Sequence, residues 1–359
     1  LWGFTPIKGY TTHNGFGSVG ACPRNVFGRP SKNYAHKGLH YARILERGMV
    51  RIGVIGVGHI GAHHARIYSQ IPDVELAGVV DIEQKRREKV AREYNTTPYA
   101  SYGEIFNKVD AVSVVVPTDL HYPVAKDFLE RGVHCLVEKP ITPTLEEAED
   151  LLSIARKKNL ILQIGHIERF NSAILEAQKY IKEPKFIEAY RLGPYDPRTS
   201  NIGVVLDLMI HDIDIVLYLV RSPVRSIDAI GGSILSQNED IANARINFQN
   251  GCVANISASR VSLEKFRKVR IFQKDVYISL DYAKQSLKIY QKKEKEIKSM
   301  KDMMILRPQL KKTDPLREEL THFIQCVERG RKPLVSGKHG RDALEIALEI
   351  LKKIKENLG

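Results

Sequence analysis

The stretch Ile52-Gly53-Val54-Ile55-Gly56-Val57-Gly58-His59-Ile60-Gly61 decides the fold of this 359-residue chain. An apolar run ends in Gly-x-Gly-x-x-Gly, and Ala62 to Gln70 continues with a helix-compatible pattern. Strand, glycine turn and helix in that order make a dinucleotide-binding unit. Gly56 allows the tight turn, Gly58 lets backbone amides approach a pyrophosphate, and Gly61 lets the helix pack closely on the strand. His59 and Ile60 stand at the same mouth. Asp81 closes the second apolar run. An acid there accepts hydrogen bonds from a ribose and repels a 2'-phosphate, so NAD is expected over NADP; Arg86 or Arg87 are the side chains that could reach a phosphate instead.

Outward from this unit, apolar strands alternate with amphipathic helices from Met49 onward. Strands are expected at 51–56, 74–80, 110–116, 133–137 and 160–165, with a short element near Pro98, and helices at 60–70, 83–94, 101–107, 121–130 and 145–157. That alternation predicts an α/β, doubly wound parallel sheet. After residue 168 the pattern changes. A helix at 172–181 precedes extended runs at 186–192, 224–231, 242–248, 253–259, 268–273, 276–280 and 286–290, with Asn250-Gly251 as a hairpin turn. One helix is inserted around 207–214, and two more follow at 315–329 and 340–357. This predicts an α+β domain with an open, mostly antiparallel sheet and helices on one face. The division expected is 49–168 for nucleotide binding and 169–359 for substrate binding and oligomer contacts, the last helices packing back on the first domain. Residues 1–48 show no sustained period and read as a non-native or disordered extension ahead of Met49.

Composition sets limits. Hydrophobic content of 43% and charged content of 27% describe a soluble globular chain, and no apolar run reaches about eighteen residues, so no membrane partner is expected. Cys22, Cys135, Cys252 and Cys326 are scattered without metal-ligand spacing, which fits a reduced, cytoplasmic setting and no metal site. The net charge of +13 does not indicate a nucleic-acid partner, because residues 1–48 hold seven Lys/Arg against Glu46 alone and no recognition motif accompanies the charge.

Two further motifs carry chemistry. Glu138-Lys139-Pro140 follows the strand His134-Cys135-Leu136-Val137, so Lys139 sits at a carboxyl end of the sheet beside the nicotinamide position, where a cation favours a substrate alkoxide. Pro117, Thr118 and His121 end the neighbouring strand and face the same crevice; Thr118 reads equally well as a helix cap. Asp207-Leu208-Met209-Ile210-His211-Asp212-Ile213-Asp214 is expected on a helix, with Asp207 and His211 on one face and Asp214 near them. A histidine steadied by a carboxylate suits proton transfer. Metal binding and a purely structural charge network are the competing readings.

Together, Gly56-x-Gly58-x-x-Gly61, Glu138-Lys139-Pro140 and Asp207-x-x-x-His211 resemble the motifs of the glucose-fructose oxidoreductase, inositol dehydrogenase and rhizopine-catabolism family (Gfo/Idh/MocA), over Met49 to Gly359. The resemblance implies an N-terminal Rossmann domain, a C-terminal open sheet, hydride transfer between nicotinamide and a sugar-like carbinol, and a homodimer or homotetramer. It implies Lys139 as catalytic lysine, with Asp207 and His211 as carboxylate and proton-transferring histidine. Met209 departs from the glycine common in the family, and is expected to narrow the space beside them. Gly165 to Asn171 and Asp207 to Asp214 look most like the branch that oxidises the 3-hydroxyl of UDP-N-acetylhexosamines or their uronic acids. Arg169, Asn171, Arg191, Arg198 and Asp214 are the expected substrate contacts, each arginine reading equally as an ion-pair partner. The rival functions are a dehydrogenase of free sugars or inositols and a non-catalytic dinucleotide sensor.

Overall fold

In a computed structural model of the chain, residues 48–197, 201–293, 299 and 302–358 are described. The extension 1–47 and Arg198 lie outside them.

The first sheet contains β1 (Val50–Ile55), β2 (Val74–Val80), β3 (Pro98–Tyr99), β4 (Ala111–Val114), β5 (His134–Val137) and β6 (Leu162–Ile164). All pairs are parallel, in the order β3-β2-β1-β4-β5-β6. Helices α1 (His59–Tyr68), α2 (Gln84–Glu93), α3 (His121–Glu130) and α4 (Leu145–Lys158) alternate with these strands. β4 and β5 are buried along their whole length, which is why they read as unbroken apolar runs: helices cover both faces. The order reverses between β1 and β4, so the crevice for a nucleotide opens at their carboxyl ends.

The second sheet has the order β14-β13-β12-β11-β7-β10-β9-β8. Its strands are β7 (Pro184–Leu192), β8 (Val224–Gly232), β9 (Ile241–Phe248), β10 (Val253–Ser259), β11 (Phe266–Gln273), β12 (Val276–Asp281), β13 (Ser286–Lys292) and β14 (Met303–Leu306). Every pair is antiparallel except β7 with β10. Alternate residues are buried under α5 (Ser172–Ala177), α6 (Ile210–Val220) and α8 (Gly337–Leu358). The opposite face is open, with polar cross-strand bonds on β9 and β10 such as Asn243 Nδ2 to Ser257 Oγ at 2.8 Å. Helix α7 (Pro315–Arg329) returns to the parallel sheet, placing Leu320 and Phe323 in the core with Val50 and Ile52.

Three elements differ from expectation. The helix expected at 101–107 is a single 3-10 turn, Tyr102–Ile105, held by a Ser101/Glu104 capping box. Helix 172–181 stops at Ala177, and a turn over 178–180 carries the chain to β7, which Pro184 begins. β14 lacks the alternation by which the other strands were legible. Among the described residues no helix is long and apolar enough to cross a membrane.

Candidate active site

The glycine turn is as tight as its sequence requires. Gly56 has φ +87°, and a Cβ there would lie 2.5 Å from the Val115 carbonyl oxygen; one on Gly61 would meet the Gly56 carbonyl. Gly58, by contrast, faces open space with nothing within 4 Å, and α1 begins there without a side-chain cap. Free N–H groups beside an open glycine fit a diphosphate. His59 and Ile60 are exposed on the same turn. At the end of β2, Asp81 Oδ2 accepts from Val57 N at 3.0 Å and Oδ1 from Glu83 N at 2.9 Å, which fixes its carboxylate against the glycine turn. Arg86 spans Asp81 and Glu83, and Arg87 donates to the Asp81 and Ile82 carbonyls. Both arginines are thus drawn toward an acidic loop, a setting that suits a ribose diol better than a 2'-phosphate.

Pro117 and Thr118 lead from β4 into a short 3-10 turn at the sheet's mouth. His121 behaves differently from expectation. It is buried, and its ring nitrogens lie 2.8 Å from the Pro140 carbonyl oxygen and 2.9 Å from that of Val116. It ties the ends of β4 and β5 together and has no nitrogen left for a cofactor.

At the end of β5, Lys139 precedes a cis proline. Lys139 Nζ donates to the Asp207 carbonyl oxygen at 2.7 Å and to Asp207 Oδ1 at 3.0 Å, joining the two halves of the chain. An ammonium has three donors, so one N–H remains for a ligand. Asp207 lies in a π-helical segment, Val205–Met209, that runs into α6. Glu239 anchors the start of this segment through Val204 N and Val205 N. The wider turn sends the Asp207 carboxylate to Lys139, so the expected Asp207–His211 pair is replaced by a lysine–aspartate pair. His211 Nδ1 is buried without a protein partner. Burial, then the nearby Lys139 and Arg191 charges, hold the His211 pKa well below its usual 6.5.

The other expected substrate contacts are engaged within the protein. Arg169 forms a buried two-pronged ion pair with Asp214, at 2.6 and 2.7 Å, and stacks on Tyr218. Arg191 binds Asp212 and Glu168 at 2.7 and 2.9 Å. Asn171 caps α5 and donates to Glu168 and the Tyr282 carbonyl. These groups hold α6 and the 167–171 turn together. Met209 turns into the apolar core under the second sheet, so it does not narrow the site. Sequence reasoning missed Arg267 on β11. It is exposed, paired in register with Arg191, and its charge acts on His211 and Asp207. Its only signal was a charge at an inward position of an alternating strand, in step with the buried Val269 and Ile271.

A dinucleotide crevice with a lysine at its own sheet's edge, facing a carboxylate and a histidine from the helical segment packed under a second sheet, defines a two-part oxidoreductase. The comparisons make that particular: residues 50–166 match the model for the oxidoreductase family, NAD-binding Rossmann fold, and residues 174–277 match the GFO/IDH/MocA C-terminal domain. The chain belongs to the Gfo/Idh/MocA oxidoreductase family. It is similar to UDP-N-acetylglucosamine 3-dehydrogenase of Acidithiobacillus ferrooxidans, 38% identical over 84% of this chain and 96% of that protein. The solved structure of that dehydrogenase, GnnA, gives a TM-score of 0.82 at 37% identity, covering 87% of this chain and 99% of that one. A more distant likeness is to scyllo-inositol 2-dehydrogenase (NAD(+)) of Bacillus subtilis, at 27% identity over 83% of this chain and 92% of that protein.

Proposed function

We propose that this oxidoreductase uses NAD to oxidise the 3-hydroxyl of a UDP-N-acetylhexosamine to a 3-keto sugar nucleotide. The observation that carries the reading is the Lys139–Asp207 pair beside His211 at the mouth of the glycine-turn sheet. The amides at the start of α1, Asp81, Pro117, Thr118 and Glu138 would hold the dinucleotide, which supplies an acceptor for the carbon-bound hydrogen and its electron pair. His211, kept neutral by burial, takes the hydroxyl proton. Lys139 directs its remaining N–H at the substrate oxygen and stabilises the charge that develops there, while Asp207 holds the ammonium in place. Arg267 is the guanidinium available for a diphosphate or carboxylate. The open face of the second sheet, with its stacked Phe272, Tyr277 and Tyr290, suits a second copy of the chain in a homodimer or homotetramer. Sedimentation of the purified protein tests that assembly, and a monomer at micromolar concentration would rule it out.

The deciding experiment incubates the protein with NAD and UDP-N-acetylglucosamine, with and without 2-oxoglutarate, and follows reduced nicotinamide and product mass. Loss of two hydrogens from the sugar nucleotide supports the reading, and dependence on 2-oxoglutarate would reveal cofactor recycling in place. Turnover of free inositols or sugars in preference to any UDP-sugar would replace it. Arg267→Ala is expected to raise KM for the UDP-sugar at least about tenfold, the loss of one charge-assisted contact, with kcat little changed.

A further inference from the structure

The proposed oxidation leaves one proton to place, and the interior behind Lys139 holds polar groups that the site itself does not use. Four side chains from separate elements are buried there: His64 on α1, Gln163 on β6, His166 just after it, and Glu319 on α7. Both ring nitrogens of His64 and His166, Gln163 Oε1 and both Glu319 carboxyl oxygens lack a hydrogen-bond partner in the protein. Apolar side chains would fill such a core at less cost, and internal water is the usual partner of polar atoms so placed.

Glu138 is the common neighbour. Its carboxylate packs on Gly165, where an added Cβ would lie 2.8 Å from the carboxyl carbon, and His64 Nε2 stands 3.3 Å from Glu138 Oε1 with poor hydrogen-bond alignment. Gln163 Nε2 reaches the Glu319 carbonyl at 3.2 Å. On the other side, the His166 ring stands edge-on to His211 with centroids 6.3 Å apart.

We propose that a water-bridged path from His211 through His166 to Glu138, backed by His64 and Glu319, carries the hydroxyl proton out of the site. The inference rests on the dehydrogenase reading. In it the carbinol O–H bond breaks and its electron pair becomes the second carbonyl bond, as the carbon-bound hydrogen leaves with its own pair to the nicotinamide. The proton passes to His211, across water to His166, then to Glu138, whose partly exposed carboxylate releases it to solvent at the cleft. The surrounding charges agree. Burial lowers the His166 pKa, with Asp214 and Glu138 raising it and Arg169 and Lys139 lowering it, so neither histidine retains a proton. Burial raises that of Glu319 well above 4.5, with Glu138 and Asp214 adding, so Glu319 is a neutral donor able to orient water.

His166→Leu and Glu319→Gln test the path in single turnovers with NAD and UDP-N-acetylglucosamine, run in H2O and D2O. The expected result is a roughly tenfold slower step, an enlarged solvent isotope effect, partial recovery with added imidazole, and unchanged NAD affinity. Wild-type rates, or a slow step with an unaltered isotope effect and no rescue, would overturn it. His166→Gln gives the same readout if the leucine variant does not fold. A wild-type protein that binds NAD but does not oxidise the sugar nucleotide defeats the dehydrogenase reading and the path together; turnover with unaffected variants defeats the path alone.

Discussion

Lys139 and Asp214 illustrate how two charged residues of similar appearance in the sequence reach opposite ends of use. Lys139 is half-buried, spends two donors on Asp207 and keeps one for a ligand. Lys139→Met is therefore expected to lower kcat by at least about a hundredfold with NAD affinity retained, measured by steady-state kinetics and a binding titration. Near-normal turnover would remove its proposed role. Asp214 is fully committed to Arg169, and both side chains are 2% exposed. Asp214→Asn leaves a buried guanidinium without its counter-charge, so urea unfolding should show a loss of about 3–5 kcal/mol. A change in KM without a change in stability would restore the substrate contact read from the sequence. The ion pair was not legible because spacing shows where an arginine stands along the chain, while the acid that neutralises it comes from 45 residues away.

At the scale of elements, the long buried strands and capped helices were legible because their patterns are local. α3 and α7 have the bounds their periodicity predicts. Thr144 and Glu147 form a capping box that starts α4, and Asn159, in the left-handed region, ends it. The π segment Val205–Met209 was not legible, since one additional residue per turn leaves no mark in apolar spacing. Its effect is to turn Asp207 toward Lys139 while His211 lies in the first turn of regular α-helix. Deleting Leu208, a half-buried residue of that segment, should restore α-helical winding and rotate Asp207 away from Lys139 by about 100°. The expected outcome is retained helicity by circular dichroism and retained NAD binding, with turnover reduced at least about a hundredfold. Full activity in the deletion variant would show that the π winding has no bearing on the site.

For the whole molecule, buried titratable groups set a pH dependence of stability with two opposed causes. Glu319 is held as the acid by burial, its pKa well above 4.5. The unfolded chain ionises it near that ordinary value, so its contribution to stability is full below about 4.5 and declines as pH rises toward the folded value. Glu319→Leu should stabilise the fold by an amount that grows between about pH 5 and pH 8, followed by urea unfolding; a constant difference would contradict the buried neutral acid. His166 and His211 work the other way. Their lowered values mean that the unfolded chain takes up protons first as pH falls through about 6.5, which costs stability on the acid side. By itself the sequence determined the order of elements and the dinucleotide turn, and it singled out the lysine, aspartate and histidine that stand together at the crevice, because these depend on local periodicity and on short motifs with stereochemical causes. Only the tertiary structure decided that Asp207 serves Lys139 and not His211, that Arg169 and Arg191 are neutralised, and that His121 clamps two strand ends. Those outcomes depend on which groups from distant segments share a low-dielectric interior, where each charge and each hydrogen-bonding atom must find its partner across the fold.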